Sequence, residues 1–230
     1  MRLHRFYVGG DIKLQKDFWI HDEKLLWQWN KVLRFRPGQE AVLFDGNQTE
    51  RLYRIAELSK KEAHLQLITE MKPVVPSRHI YLFWSLLKRE NNEYIIQKCT
   101  ELGVSNFIPI LSERTIKKEF NHERGKKIIV EASEQCGRGN VPDLREPIHL
   151  QKAIDDYKDK IMLLFCHQGG NKLPELDSDV KKIGIIIGPE GGWSEDEQKM
   201  FGQYQLDSMD LGGFTLRAET AAIVASSKLL

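Results

Sequence analysis

The period of the hydrophobic positions changes near residue 72. Ahead of it the apolar runs are short and bounded by turns. Ala41–Phe44, the turn Asp45-Gly46-Asn47, Tyr53–Leu58 and the alternating His64–Ile68 predict short antiparallel strands. Pro73 and Pro76 lack the N–H that a sheet interior needs, so Met71–Ser77 reads as a stiff linker. The first 72 residues are therefore expected to form a small β-barrel. Beyond the linker, strands at Ile80–Leu86, Phe107–Leu111, Ile161–Cys166 and Ile183–Ile187 alternate with helices. The helices are expected at Asn92–Leu102, with Gly103 as a C-terminal cap, at Lys117–Cys136, at Glu195–Tyr204 and at the C-terminus. Such alternation predicts an α/β domain over 73–230, a parallel sheet covered by helices on both sides.

One of these strands ends in unusual chemistry. Ile185, Ile186 and Ile187 run into Gly188-Pro189-Glu190-Gly191-Gly192, a turn whose glycines let backbone approach a ligand. Ser194 then stands three residues before Glu197, the spacing of a capping box that opens a helix. Strand, glycine turn and helix start form the geometry of a nucleotide-type cofactor site. The turn matches neither phosphate-binding pattern, G-x-x-x-x-G-K-[ST] or G-x-G-x-x-G, and it carries the carboxylate of Glu190. It suits a ligand that is neutral or cationic at its reactive end. Met209-Asp210-Leu211-Gly212-Gly213-Phe214 repeats the pattern before a final helix, in which Ala218, Ala221, Ala222 and Ala225 share one face. That stripe suits close helix packing, within one protomer or across a twofold interface. Arg217 places a cation against the positive end of the helix dipole, which points to a partner in Glu219, Glu190 or a ligand.

Composition narrows the classes. Net charge is +1, hydrophobic content 41% and charged content 29%, so this is an ordinary globule and no polycation. Any nucleic-acid binding must rest on local patches. The first 36 residues supply cations from Arg2 and Arg5 to Lys24 and Lys31, interleaved with Phe6, Tyr7, Phe18, Trp19, Trp27 and Trp29. Most of these aromatics are expected in the core of the small β-domain. No apolar run approaches the ~18 residues of a membrane span, and the start MRLHRFYVGGDIK has no stretch of signal-peptide length. Cys99, Cys136 and Cys166 lack any C-x-x-C spacing, which argues for reduced thiols in a cytoplasm and against a metal site.

The motifs together resemble one family. IGPEGGWSEDE at 187–197 and LGGFTLRAET at 211–220 look like the second and third motif loops of the trefoil-knotted SPOUT methyltransferases. More narrowly they resemble the ribosomal RNA small subunit methyltransferase E family, which makes N3-methyluridine in 16S rRNA. Lys98–Val104, Ala132–Gln135 with Arg138 and Val141-Pro142, and the opening R-F-Y-V agree in order. Gly213-Phe214-Thr215 departs from the family, which more often has a basic and an aliphatic residue there. The resemblance implies a knotted C-terminal domain, a PUA-like RNA-binding domain at the N-terminus and a homodimer acting on 16S rRNA in the small subunit or its precursor. It implies S-adenosyl-L-methionine as cofactor, held at Leu164, His167, Gly188, Pro189, Glu190, Gly191, Gly192, Leu211, Gly212, Leu216 and Thr220. Arg217 and then Arg138 are the catalytic candidates, since an arginine fork suits the charge of a deprotonated uracil. Arg2, Arg5, Lys88 and Arg89 are candidates for holding RNA phosphate. A SPOUT enzyme with another RNA target, or an inactive ribosome-binding assembly factor, would share many of these features.

Overall fold

The computed structural model describes residues 3–9, 12–47, 49–117, 119–171 and 179–229. The chain divides into two units, Met1–Val75 with Ser133–Val141, and Pro76–Ala132 with Pro142–Leu230.

The first unit is built on five strands: β1 His4–Tyr7, β2 Asp17–Ile20, β3 Glu40–Phe44, β4 Glu50–Leu58 and β5 Ala63–Met71, in the order β1-β3-β4-β5-β2. The three middle strands pair antiparallel and β1 joins β3 in parallel. The Asp45-Gly46 turn forms because Asp45 Oδ1 accepts from the N–H groups of Asn47 and Thr49 at 2.7 and 3.0 Å. Between β2 and β3 lies α1 Glu23–Trp27, capped by Asp22, whose Oδ1 accepts from Leu25 N at 2.8 Å. It continues as five residues of π-helix, Gln28–Val32. Phe6 and Trp29 meet edge to face in the core. Trp19 and Trp27 do not enter it: they are 44% and 61% exposed, and are the exceptions among the aromatics expected mostly in the core.

Segment 133–141 completes this unit. Tyr7 N donates to Glu134 Oε1 at 2.9 Å, Gly139 N to Val74 O at 2.7 Å, and Asn47 bridges Asn140. Arg5 forms an ion pair with the buried Glu50, lies over the Phe44 ring and donates to the Arg138 carbonyl at 3.4 Å. The Arg138 side chain is itself buried, which pulls its guanidinium down to about 10, so it stays charged at neutral pH.

In the second unit β6 His79–Ser85, β7 Val104–Leu111, β8 Asp143–Leu144, β10 Met162–Cys166, β11 Lys182–Ile187 and β12 Asp207–Met209 form a parallel sheet ordered β12-β10-β11-β6-β7-β8, with β9 Ile148–His149 also on β7. The central strands are buried on both faces, hence their unbroken apolar sequences. Helices α2 Arg89–Glu101 and α6 Ala218–Ser227 pack together, α6 also against β6 and β11. Helices α4 Leu150–Tyr157 and α5 Glu195–Gln203 cover a cluster of Phe83, Ile108, Ile186 and Trp193. Ala218, Ala222 and Ala225 are buried, so these members of the alanine stripe pack within the protomer, while Ala221 is only partly buried.

Strands β4 and β7 each begin three residues before the expected Tyr53 and Phe107, β5 runs three beyond Ile68, and two helix starts also differ from expectation. The long helix, α3 His122–Cys136, starts later than Lys117 because Asn121 Oδ1 accepts from Arg124 N and caps it there; Lys118 falls outside the described residues. Helix α2 starts earlier than Asn92. The buried Asn92 side chain is the reason: it accepts from Trp84 Nε1 and Leu87 N, donates to Leu87 O, and so locks the exit of β6 onto the first helical turn.

Candidate active site

The strand order sets β12, β10 and β11 side by side and parallel, so their C-terminal ends share one edge of the sheet. The loops that leave them, together with the start of α6, enclose a cavity of about 510 Å³. This is where ligands bind in open parallel sheets.

Each loop is held by local chemistry. After β11, the Ser194 Oγ accepts from Glu197 N at 3.1 Å while the Glu197 Oε2 accepts from Ser194 N at 2.9 Å, the expected capping box. The second oxygen of this buried carboxylate accepts from Glu113 N at 2.8 Å, which ties the turn after β7 to the helix start. From that turn Arg114 donates to Gly191 O at 2.8 Å. Trp193 donates from Nε1 to Cys166 O at 2.9 Å, so the loop after β11 is fastened to the end of β10. A Cβ at Gly188 would stand 3.0 Å from the Trp193 ring, which is why a glycine sits there. The third loop turns at Gly212, whose φ of +135 suits glycine alone. Thr215 Oγ1 donates to Gln168 Oε1 at 2.9 Å and joins this loop to the first.

The wall carries His167, Gly188, Pro189, Glu190, Gly192, Leu211, Gly212, Leu216 and Arg217 of the expected set. Leu164 is fully buried inside β10 and is not on the wall. Gly191 faces Arg114, and Thr220 is exposed on α6; neither lines the cavity. Phe214 and Thr215 of the expected third loop line it as well, and Trp193 and Gln198 do so without having been anticipated. Trp193 stands inside the quoted motif, and Phe214, 86% exposed, stands inside the family departure, so both carried a signal that spacing alone did not interpret. Cys166 is also on the wall, but burial pushes its thiol up to about 12, so it remains protonated and inert.

Arg217 is the N-cap of α6, with extended backbone at φ −64 and ψ 152, and no side chain caps that helix. Among the described residues no carboxylate or carbonyl accepts from its guanidinium, so the expected pairing with Glu190 or Glu219 is not formed. Glu219 instead accepts from Asn91 Nδ2 at 3.4 Å. A free cation and the uncapped positive end of a helix thus share one stretch of the cavity wall.

Arg138 and Arg5 belong to the charged cluster of the first unit. Lys88 is exposed at the N-cap of α2, and Arg89 pairs with Glu93 at 2.8 Å. Arg2 lies outside the described residues. Among the described residues no group of three or more His, Cys, Asp or Glu is placed to hold a metal ion, and no helix is long and apolar enough to cross a membrane.

Fold and site together define an RNA methyltransferase: residues 75–230 match the RNA methyltransferase domain, and residues 31–68 the RNA methyltransferase PUA domain. Ribosomal RNA small subunit methyltransferase E of Helicobacter pylori is 33% identical over 180 residues, covering 76% of this chain and 77% of that protein. The protein of that name in Aquifex aeolicus is 29% identical over 208 residues, 87% of this chain and 89% of its own. The crystal structure of the Neisseria gonorrhoeae methyltransferase E bound to S-adenosyl methionine matches with a TM-score of 0.90 at 28% identity, over 99% of this chain and 97% of that one. The chain belongs to the ribosomal RNA small subunit methyltransferase E family. The expected α/β SPOUT class with an N-terminal PUA-like domain is borne out by this full-length likeness.

Proposed function

We propose that the chain transfers the methyl group of S-adenosylmethionine to N3 of a specific uridine in 16S rRNA, working as a cytoplasmic homodimer. The wall fits this cofactor. It offers backbone groups on glycine turns for an adenosine, no phosphate-binding motif, and the carboxylates of Glu190 and Asp210 for a cationic end. When bound, the cofactor supplies a sulfonium-activated methyl group, so the protein's task is alignment and control of charge. The three loops position the ligand, and their cross-ties Trp193–Cys166 and Thr215–Gln168 hold them as one cradle.

Uridine N3 is a poor nucleophile while protonated. Its anion spreads over O2 and O4, and a planar guanidinium stabilises that charge. The observation that carries the reading is Arg217, an unpaired cation on the cavity wall at an uncapped helix start. Among the described residues no carboxylate pairs with it, and a substrate anion would complete the site. Arg138, buried in the first unit beside Arg5, belongs to that charged cluster and stays the second candidate. The test is nucleoside mass spectrometry of rRNA from cells lacking the gene, with methylation of their small subunits by the purified protein. Loss and restoration of N3-methyluridine are expected; its persistence in the deleted strain refutes the assignment.

A further inference from the structure

We infer that one face of the first unit is a platform for an unpaired RNA strand, on which Trp19 and Trp27 stack bases and lysines hold phosphate. The inference rests on the RNA reading above and names the surface that executes it. Two grooves run on this face and share His21. One contains Lys13 and Trp19, the other Trp27, Lys31, Lys60 and Lys61. Both tryptophans are exposed, although a folded domain normally buries such rings or gives them a partner. Trp19 is already oriented as a stacking surface: it lies flat on the His64 ring, centroids 4.8 Å apart and planes 15° off parallel, and His64 is held by Asp17 at 2.6 Å.

The second groove is built with equal care. Asn30 Nδ2 donates both to Leu26 O at 2.8 Å and to Ser59 O at 2.9 Å, which clamps the helix onto the β4–β5 turn. Ser59 Oγ accepts from the N–H groups of Lys61 and Glu62, fixing that turn. Lys60 and Lys61 are thereby presented beside Trp27 and Lys31. Of the acids nearby, Asp17 is engaged by His64, Asp22 caps α1 and Glu62 stands 3.7 Å from His21, while Glu23, on the wall of the second groove, adds one exposed carboxylate among its three lysines. Among the described residues, Lys13, Lys31, Lys60 and Lys61 have no carboxylate partner. Exposed aromatic rings between unpaired cations match a single strand, which presents base faces and a phosphate row together. A paired helix hides its base faces and would leave both rings unused.

The test uses the full-length protein and a short fluorescein-labelled oligouridylate, read by fluorescence anisotropy. Trp27→Ala and Trp19→Ala should each weaken binding on the order of tenfold, the stacking worth of one base, while Trp27→Phe keeps most of it. The charge reversal Lys31→Glu, Lys60→Glu, Lys61→Glu touches no core residue. It should lower the slope of log affinity against log salt by roughly 2, about 0.7 for each lost phosphate contact. Cofactor affinity by calorimetry should stay unchanged in every variant. Unchanged oligouridylate affinity and slope would overturn the inference, as would Trp27→Ala altering the mass in light scattering, which would assign the face to a second copy of the chain. Tight binding through this face by a protein that leaves small subunits unmethylated would uphold the platform and sink the proposed activity.

Discussion

Removing Arg217 should produce a defect that alkali repairs. In the proposed reaction its guanidinium faces a charge that exists only after the uracil N3 proton has left. Two unit charges ~4 Å apart interact by about 1 kcal/mol in bulk water and about 4 kcal/mol at an effective dielectric of ~20. At 1.36 kcal/mol per decade, the loss is about fivefold at the first limit and about 10³ at the second. Arg217 is exposed in the free protein, which argues for the lower limit, whereas bound rRNA excludes water and moves the value upward. A fall of about 10² in kcat for Arg217→Ala is expected, with cofactor affinity within twofold, because the cradle is tied through other residues. Arg217→Lys should recover part, since charge remains and the planar fork does not. The sign of the pH effect follows from which form reacts. The cation favours deprotonated uracil, so its removal raises the apparent pKa of that step and moves the rising limb of kcat upward by about two pH units. Methylation of small subunits with tritiated cofactor across alkaline pH gives the answer. A wild-type rate, or a loss equal at every pH, would refute the charge argument.

Other outcomes follow from particular contacts. Gly212→Val forces a branched residue into a φ of +135 and should cut cofactor affinity by tenfold or more, whereas Gly191→Ala should bind normally, because its new Cβ meets Arg114 only at 3.5 Å; calorimetry compares them. Iodoacetamide at mildly alkaline pH should label the exposed Cys136 first and spare Cys99 and Cys166, both pushed up to about 12 by burial, as peptide mass spectrometry would show. Glu50→Ala strands the Arg5 guanidinium in a buried site and should destabilise the first unit by about 3–5 kcal/mol, read by urea unfolding through the buried Trp29. Light scattering at micromolar concentration should give the mass of a dimer; an active monomer would remove that part of the proposal.

The cofactor edge was legible in the sequence because its signals are local. A β-branched run, a glycine turn and Ser194 with Glu197 lie within fifteen residues, and each acts on its neighbours. Residues whose roles depend on distant partners were not legible. Arg138 stands in a motif stretch, yet its place is decided by Arg5 and Val74, far away in the chain. Leu164 was assigned to the cofactor through the motif loops, but β10 is covered on both faces, and no alternation reveals which of its side chains reach an edge. Helix α4 left no mark in the reading because it is short and has no capping side chain. Trp19 and Trp27 resemble core residues in composition, and only the packing of Phe6 and Trp29 shows that the core is filled without them.

The membership of Ser133–Val141 in the first unit has a consequence for synthesis. The opening 75 residues contain every strand of their sheet, yet the Glu134 acceptor for Tyr7 and the Asn140 bridge to Asn47 are encoded much later. At roughly 5–20 residues per second, several seconds pass before the ribosome delivers them. During that interval the nascent sheet lacks its closing segment, and the Arg5–Glu50 pair lacks the cover that residue 138 brings. A unit that looks like a detachable module in the gene is thus finished only after the α3 helix has been made, and a stop codon after residue 75 would release an incomplete fold.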